Sequence, residues 1–191
     1  MSTEKSRISW DQYFMGLALL SAQRSKDART KIGACVIDAH NRIIGIGYNG
    51  FPRGCPDDEF PNAGRFDEAG NLLPLQDTKL AYVVHAEANA ILNSMGRDMQ
   101  WATLYCAMPP CNECAKLIIQ VGIKRVVYLS SPTYEQNERF LISKKMFHVA
   151  GVICEAYSGS TEAIHLTFED QNDAYVDKAE KCCCECEEGV K

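Results

Sequence analysis

Residues 85–92 read HAEANAIL, and residues 108–114 read MPPCNEC. In the first stretch an alanine-rich apolar pattern is helical from Ala86 to Met95, with His85 on its threshold and Gly96 as its stop. Around the second, WATLYCAM (101–108) reads as a strand, NECAKLIIQV (112–121) as a helix ended by Gly122, and IKRVVYLS (123–130) as another strand. ERFLISKKMFHVAG (138–151) is a further helix and VICEAY (152–157) a last strand. Two strand-to-helix passages in a row predict a partly parallel sheet with helices on its faces.

Working back toward the start, Ser9 followed by Gln12 reads as a capping box, and Trp10, Phe14, Leu17, Ala18 and Leu20 recur at helical spacing up to Arg24. KIGACVID (31–38) and RIIGIGYN (42–49) flank the turn residues Ala39, His40 and Asn41, which predicts an antiparallel hairpin. Between the hairpin and His85 lies a polar stretch from Phe51 to about Thr78, rich in proline and glycine. Loops of that length inside compact domains are functional or disordered. The order α-β-β-α-β-α-β-α-β predicts one α/β domain with a mixed five-stranded sheet over residues 9–170. Residues 171–191 are expected to form a charged, cysteine-rich, disordered tail.

The chain has 191 residues, which suits a single domain with a proper core. No apolar run is long enough to cross a bilayer, and MSTEKSRISW lacks the basic-then-apolar order of a signal peptide, so a cytoplasmic location is expected. A formal charge of -5 speaks against nucleic acid as the main partner and leaves room for a small anionic ligand. Four of the ten cysteines crowd into KCCCECEEG (181–189). In a chain of this size and compartment, reduced thiols or metal ligation fit better than a disulfide framework.

Cys111 and Cys114 form a C-x-x-C step at a helix start, where free N–H groups and the helix dipole favour thiolate. His85 begins a helix too. Two thiolates and one imidazole make a three-ligand zinc set, which keeps a fourth position for water. Read singly, a histidine before a helix is more often a cap or a core residue, and a C-x-x-C step can be a redox pair or chance. Together they form H-x-E followed by P-C-x-x-C, each half at a strand-to-helix junction, which is the signature of zinc deaminases. Two thiolates neutralise the formal charge of Zn2+, so bound water is harder to deprotonate there than beside three neutral histidines. Glu87, near the metal without binding it, can take that proton, deliver it to a ring nitrogen and later protonate departing ammonia. The local alternative is that Glu87 caps its own helix.

Across Trp10 to about Tyr157, through ARTKIGACVID, GYNGFPRGC, HAEANAI and PPCNECAK, the sequence resembles the zinc-dependent cytidine deaminase superfamily, and within it the deoxycytidylate (dCMP) branch. The resemblance implies a three-layer fold with helices on both sheet faces. It implies hydrolysis of dCMP to dUMP and ammonia by a zinc-activated water, supplying dUMP for thymidylate synthesis. It also implies activation by dCTP with Mg2+, inhibition by dTTP, and a homo-oligomer, commonly a hexamer. His85, Cys111 and Cys114 match the zinc ligands of the family, Glu87 its proton shuttle, and Asn49 the position that contacts the sugar.

Nucleotide contacts beyond these rest on composition. AQRSKDARTK (22–31) with Arg53 supplies basic and hydroxyl groups beside Asn49, so Lys26, Thr30, Gly50 and Arg53 are candidates for substrate or effector phosphates. Each of those charges can equally solvate a surface. Tyr134 can stack on a base or stand as a half-buried loop tyrosine. Two other readings differ in class. A binding module with a closed structural zinc needs a fourth protein ligand such as Cys106 or a tail cysteine. An RNA-editing deaminase of the same fold needs a basic face, against which the net charge speaks.

Overall fold

The structure is a computed structural model that describes residues 7–166. It consists of α1 (Trp10–Ala22), β1 (Gly33–Ile37), β2 (Ile43–Tyr48), α2 (Ala86–Leu92), β3 (Thr103–Cys106), α3 (Asn112–Gln120), β4 (Arg125–Tyr128), α4 (Pro132–Glu135), α5 (Glu138–Val149) and β5 (Ile153–Ala156). The five strands form one sheet in the order β2-β1-β3-β4-β5. β1 is antiparallel to both β2 and β3, with Gly33 opposite Tyr48 and Ala34 opposite Cys106. β3, β4 and β5 run parallel, in a register that places Thr103 beside Arg125 and Arg125 beside Ile153. The expected mixed sheet is present, and the compact unit built on it ends at Ser160. The cysteine-rich tail expected at 171–191 lies outside the described residues.

Side-chain alternation along the strands explains the layers. Ala34, Val36, Leu104, Cys106, Val126 and Tyr128 point to one face, where Ala86 and Ala90 of α2, Ile118 of α3, and Phe140 and Phe147 of α5 complete a core. The intervening Cys35, Ile37, Tyr105 and Val127 point to the other face and meet Phe14, Met15 and Ala18 of α1. The central strands are therefore buried on both sides, which is why β1 reads as an unbroken apolar run. Each fully buried large apolar side chain contributes about 1.5–3 kcal/mol. Arg125 on β4 also ties α1 to the sheet, donating to Asp11 at 3.0 and 2.9 Å and to the Tyr105 hydroxyl at 3.2 Å.

The alanine-rich composition of α2 has a steric cause. A Cβ at Gly45 would lie 2.2 Å from the Ala90 carbonyl oxygen, and one at Gly47 would lie 2.3 Å from the Ala90 nitrogen. The helix thus rests directly on the backbone of β2, with Ala86 and Ala90 as its buried contacts. Asn89 and Asn93, one turn apart, donate to the Tyr48 and Ile46 carbonyls at 2.8 and 2.9 Å and so cover the free edge of β2.

Several boundaries differ from the sequence reading, with the strands each shorter by a residue or more at their ends. α2 ends at Leu92 rather than Met95, because Ser94 turns its hydroxyl back onto the Ile91 carbonyl and Met95 itself has positive φ, ahead of Gly96. α1 carries its Ser9 cap, with Gln12 N–H donating to Oγ at 3.1 Å, and stops at Ala22. The 51–78 stretch is ordered around short 3-10 turns and a backbone bridge between Gly50 and Val84. α4, a single turn opened by Pro132, was not expected. Among the described residues no helix is long and apolar enough to cross a membrane.

Candidate active site

His85 and Cys111 occupy the N-caps of α2 and α3, with extended backbone at φ -72, ψ 155 and φ -75, ψ 170, and neither side chain caps its own helix. That frees both for another partner. Pro109 and Pro110 favour the extended entry into Cys111, and the buried Ser143 of α5 anchors the turn by donating to the Pro110 carbonyl at 2.8 Å. Cys114 follows on the first turn of α3. The Sγ atoms of Cys111 and Cys114 each lie 3.4 Å from Nδ1 of His85, and the three atoms all fall within 4.8 Å of one another.

The donor set fits zinc. Zn–S bonds of about 2.3 Å and a Zn–N bond of about 2.0–2.1 Å at a tetrahedral angle place sulfur and nitrogen about 3.6 Å apart, close to the separation found here. Cys111 is held down to about 3 by the Cys114 thiol hydrogen bond and, with burial opposing, by His85. Cys114 is pushed the other way by the same hydrogen bond and by burial. Metal ligation requires both sulfurs as thiolates, so zinc binding releases any thiol proton held there. Cys106 does not join the group: it is fully buried, its thiol is pushed well up by burial, and its Sγ faces the Val127 carbonyl at 3.8 Å. Among the described residues no fourth protein ligand closes the site, so the closed structural-zinc reading has no support there.

Glu87 is the second residue of α2 and only 5% exposed. Burial pushes its carboxyl up, and the charge of His85 opposes that shift. A carboxyl raised in this way holds a proton more readily than an exposed one, which suits a group that takes up and returns protons. The Glu87 carboxyl accepts a hydrogen bond from its own backbone N–H and interacts with the Cys114 thiol, so it faces the three ligand residues as well as the first turn of α2.

Glu87, His85 and Cys111 line a cavity of about 380 Å³. It opens beyond the carboxyl ends of β3 and β4, where open α/β sheets hold ligands. Of the residues singled out in the sequence, Asn49, Thr30 and Tyr134 line the same cavity. Lys26 and Gly50 line a smaller neighbouring cavity of about 100 Å³, and the Lys26 ammonium pairs with Asp57 at 2.5 Å. Arg53 is exposed and lines neither. The cavity also takes in Asp27 and Arg29 from the 22–31 segment already singled out, together with Arg65, Lys79 and Arg139, which sequence reasoning missed. One signal was available for Arg139, which stands on the first turn of the helix that follows a parallel strand. Arg65 and Lys79 carried none, because they belong to the irregular stretch before His85.

Residues 8–130 match the family of the cytidine and deoxycytidylate deaminase zinc-binding region. A probable deoxycytidylate deaminase of Drosophila melanogaster is 49% identical over 165 residues, covering 86% of this chain and 80% of that protein. The deoxycytidylate deaminase of Homo sapiens is 44% identical over 165 residues, covering 86% and 89%. Among solved structures, the dCMP deaminase of cyanophage S-TIM5, crystallised with dCMP and dUMP, is 26% identical with a TM-score of 0.57 and covers 82% of this chain and 99% of its own. With the His85–Cys111–Cys114 cluster and buried Glu87 in one cavity, these likenesses place the chain in the cytidine and deoxycytidylate deaminase family, as a zinc-dependent hydrolytic deaminase.

Proposed function

We propose that the chain hydrolyses dCMP to dUMP and ammonia, supplying dUMP for thymidylate synthesis. The observation that carries this is one cavity with two chemistries: buried Glu87 beside the metal ligands, and three exposed arginines, Arg29, Arg65 and Arg139, in the same lining. None of the three is ion-paired with a carboxylate among the described residues; Arg65 lies over the Phe66 ring, 5.9 Å from its centroid. Unpaired guanidinium groups suit a phosphate dianion, which a nucleoside lacks. Relatives named deoxycytidylate deaminase support the same substrate.

Zinc, when bound, acidifies a water and makes it a nucleophile near neutral pH. The remaining work falls to the chain. His85, Cys111 and Cys114 hold the metal. A Glu87 carboxylate oxygen takes the proton of the attacking water and passes it to the ring nitrogen of the base. Glu87 then takes the remaining proton of the added hydroxyl and gives it to the departing amine as the carbon–nitrogen bond breaks. The oxygen becomes a carbonyl, one carbon–oxygen bond replaces one carbon–nitrogen bond, and ammonia leaves. Asn49 already donates to Asp27 and to the Thr30 carbonyl and accepts from the Ile32 N–H, which leaves one Oδ1 lone pair for a sugar hydroxyl. Tyr134 offers its ring to the base.

Ammonia release from equal concentrations of dCMP, deoxycytidine and cytidine tests the assignment. Charge-assisted phosphate contacts of about 1.5–3 kcal/mol predict a preference for dCMP of roughly 10–100-fold. Comparable turnover of the nucleosides would sink it. In the same assay Arg139→Ala is expected to reduce dCMP turnover while sparing deoxycytidine; an unchanged ratio removes Arg139 from phosphate binding.

Regulation follows the family resemblance: activation by dCTP carrying Mg2+, inhibition by dTTP, in a cytoplasmic homohexamer. The cavity that includes Lys26 and Gly50 is the candidate effector pocket, with Arg53 on the adjoining turn. Repeating the substrate assay with dCTP and with dTTP tests this part, and a flat response to both rejects it.

A further inference from the structure

The ion pair between Lys79 and Asp27 is the most buried among the described residues, with side chains 11% and 7% exposed. The Lys79 ammonium donates to both carboxylate oxygens of Asp27, at 2.6 and 2.5 Å. Desolvating two charges offsets most of their attraction, so a buried pair is a poor source of stability and calls for another reason.

The hydrogen bonds around it supply one. Asp27 Oδ1 accepts from the backbone N–H groups of Arg29 and Thr30 at 2.9 and 3.0 Å, and Oδ2 accepts from the Asn49 side-chain amide at 3.2 Å. One carboxylate therefore holds three residues of the catalytic cavity. Lys79 reaches the metal site through the backbone as well. Its carbonyl accepts from Val83 N–H at 2.9 Å, and Val84, the residue before His85, exchanges both backbone hydrogen bonds with Gly50 at 3.2 and 2.9 Å. The loop that carries Arg29, the strand end at Asn49 and the entry to His85 thus form one hydrogen-bonded unit. Asp27 and Lys79 line both cavities and form part of the wall between them.

We propose that Lys79 is a positioning residue for nucleotide binding: it fixes the Asp27 carboxylate, which aims the Asn49 amide and the Arg29–Thr30 backbone at the substrate. The proposal rests on the reading that this cavity takes a nucleotide. Lys79 does no chemistry at the reacting carbon, so its loss acts on KM and spares kcat.

Two variants test it. Lys79→Met leaves the Asp27 charge buried and unpaired, which weakens the fold by itself. The double variant Asp27→Asn with Lys79→Met removes both charges and is expected to regain the wild-type melting temperature and zinc content. An amide at position 27 still accepts from the backbone of Arg29 and Thr30, but its NH2 group now faces that of Asn49. The double variant should therefore keep a KM raised about 5–100-fold, the loss of an oriented buried hydrogen bond, with kcat near wild type. A KM that returns to wild type with the melting temperature reduces the pair to a structural role and overturns the proposal. A wild-type KM in both variants does the same. Wild-type enzyme assayed alongside separates the two readings: if it prefers another nucleotide, the dCMP assignment fails, and the same KM comparison is made on that nucleotide.

Discussion

Glu87→Gln will fold, bind zinc stoichiometrically and lose turnover by about 10²–10⁴-fold, the usual contribution of a positioned general acid–base group. The substitution keeps size and one acceptor oxygen, and Glu87 is not among the three ligand residues. It cannot accept a proton at the carboxylate and return it. The amide keeps an oxygen that can accept the backbone hydrogen bond Glu87 now accepts, so α2 loses little by the change. A capping role would instead remove about 0.5–2 kcal/mol of stability with activity nearly intact. Rate, zinc content and melting measured on one preparation separate these outcomes. A zinc-replete, active Glu87→Gln protein would reject the proton-shuttle assignment.

Cys111→Ser and Cys114→Ser will each lose zinc and, with it, turnover. A serine hydroxyl keeps its proton near neutral pH and is a poor substitute for a thiolate ligand. The two sulfurs are equidistant from His85 Nδ1, so neither position is a spare. Stability should fall as well, because the metal ties the start of α2 to the start of α3, adding to their packing in the shared core. Metal analysis on purified variants, with melting curves before and after chelation of the wild type, reads both effects. Full zinc occupancy in both variants would show that the ligands lie elsewhere. A wild-type melting temperature indifferent to chelation would show that the metal does not brace the two helices.

Much of this was legible in the residues because the signals are local. Capping at Ser9, the i and i+4 alternation of α2, and the period-two alternation of β1, β3 and β4 act over a few positions. So does the ligand chemistry: H-x-E and C-x-x-C are each short, and both sit where a helix begins. Those patterns sufficed for an α/β sheet and for His85, Glu87, Cys111 and Cys114 as a group. Other features depend on residues far apart in the chain. The glycines of β2 let α2 lie on the sheet only because residues 45 and 47 meet residue 90. Arg29, Arg65 and Arg139 come from a loop, an irregular segment and a helix, and each looks like an ordinary surface charge until the sheet order brings them to one cavity. Asp27 and Lys79 are separated by 52 positions, and no periodicity or spacing rule links them. Short-range propensity determined the elements and the metal-binding motif, whereas burial and electrostatic pairing across the folded chain decided which charges line the cavity and which are paired in its wall.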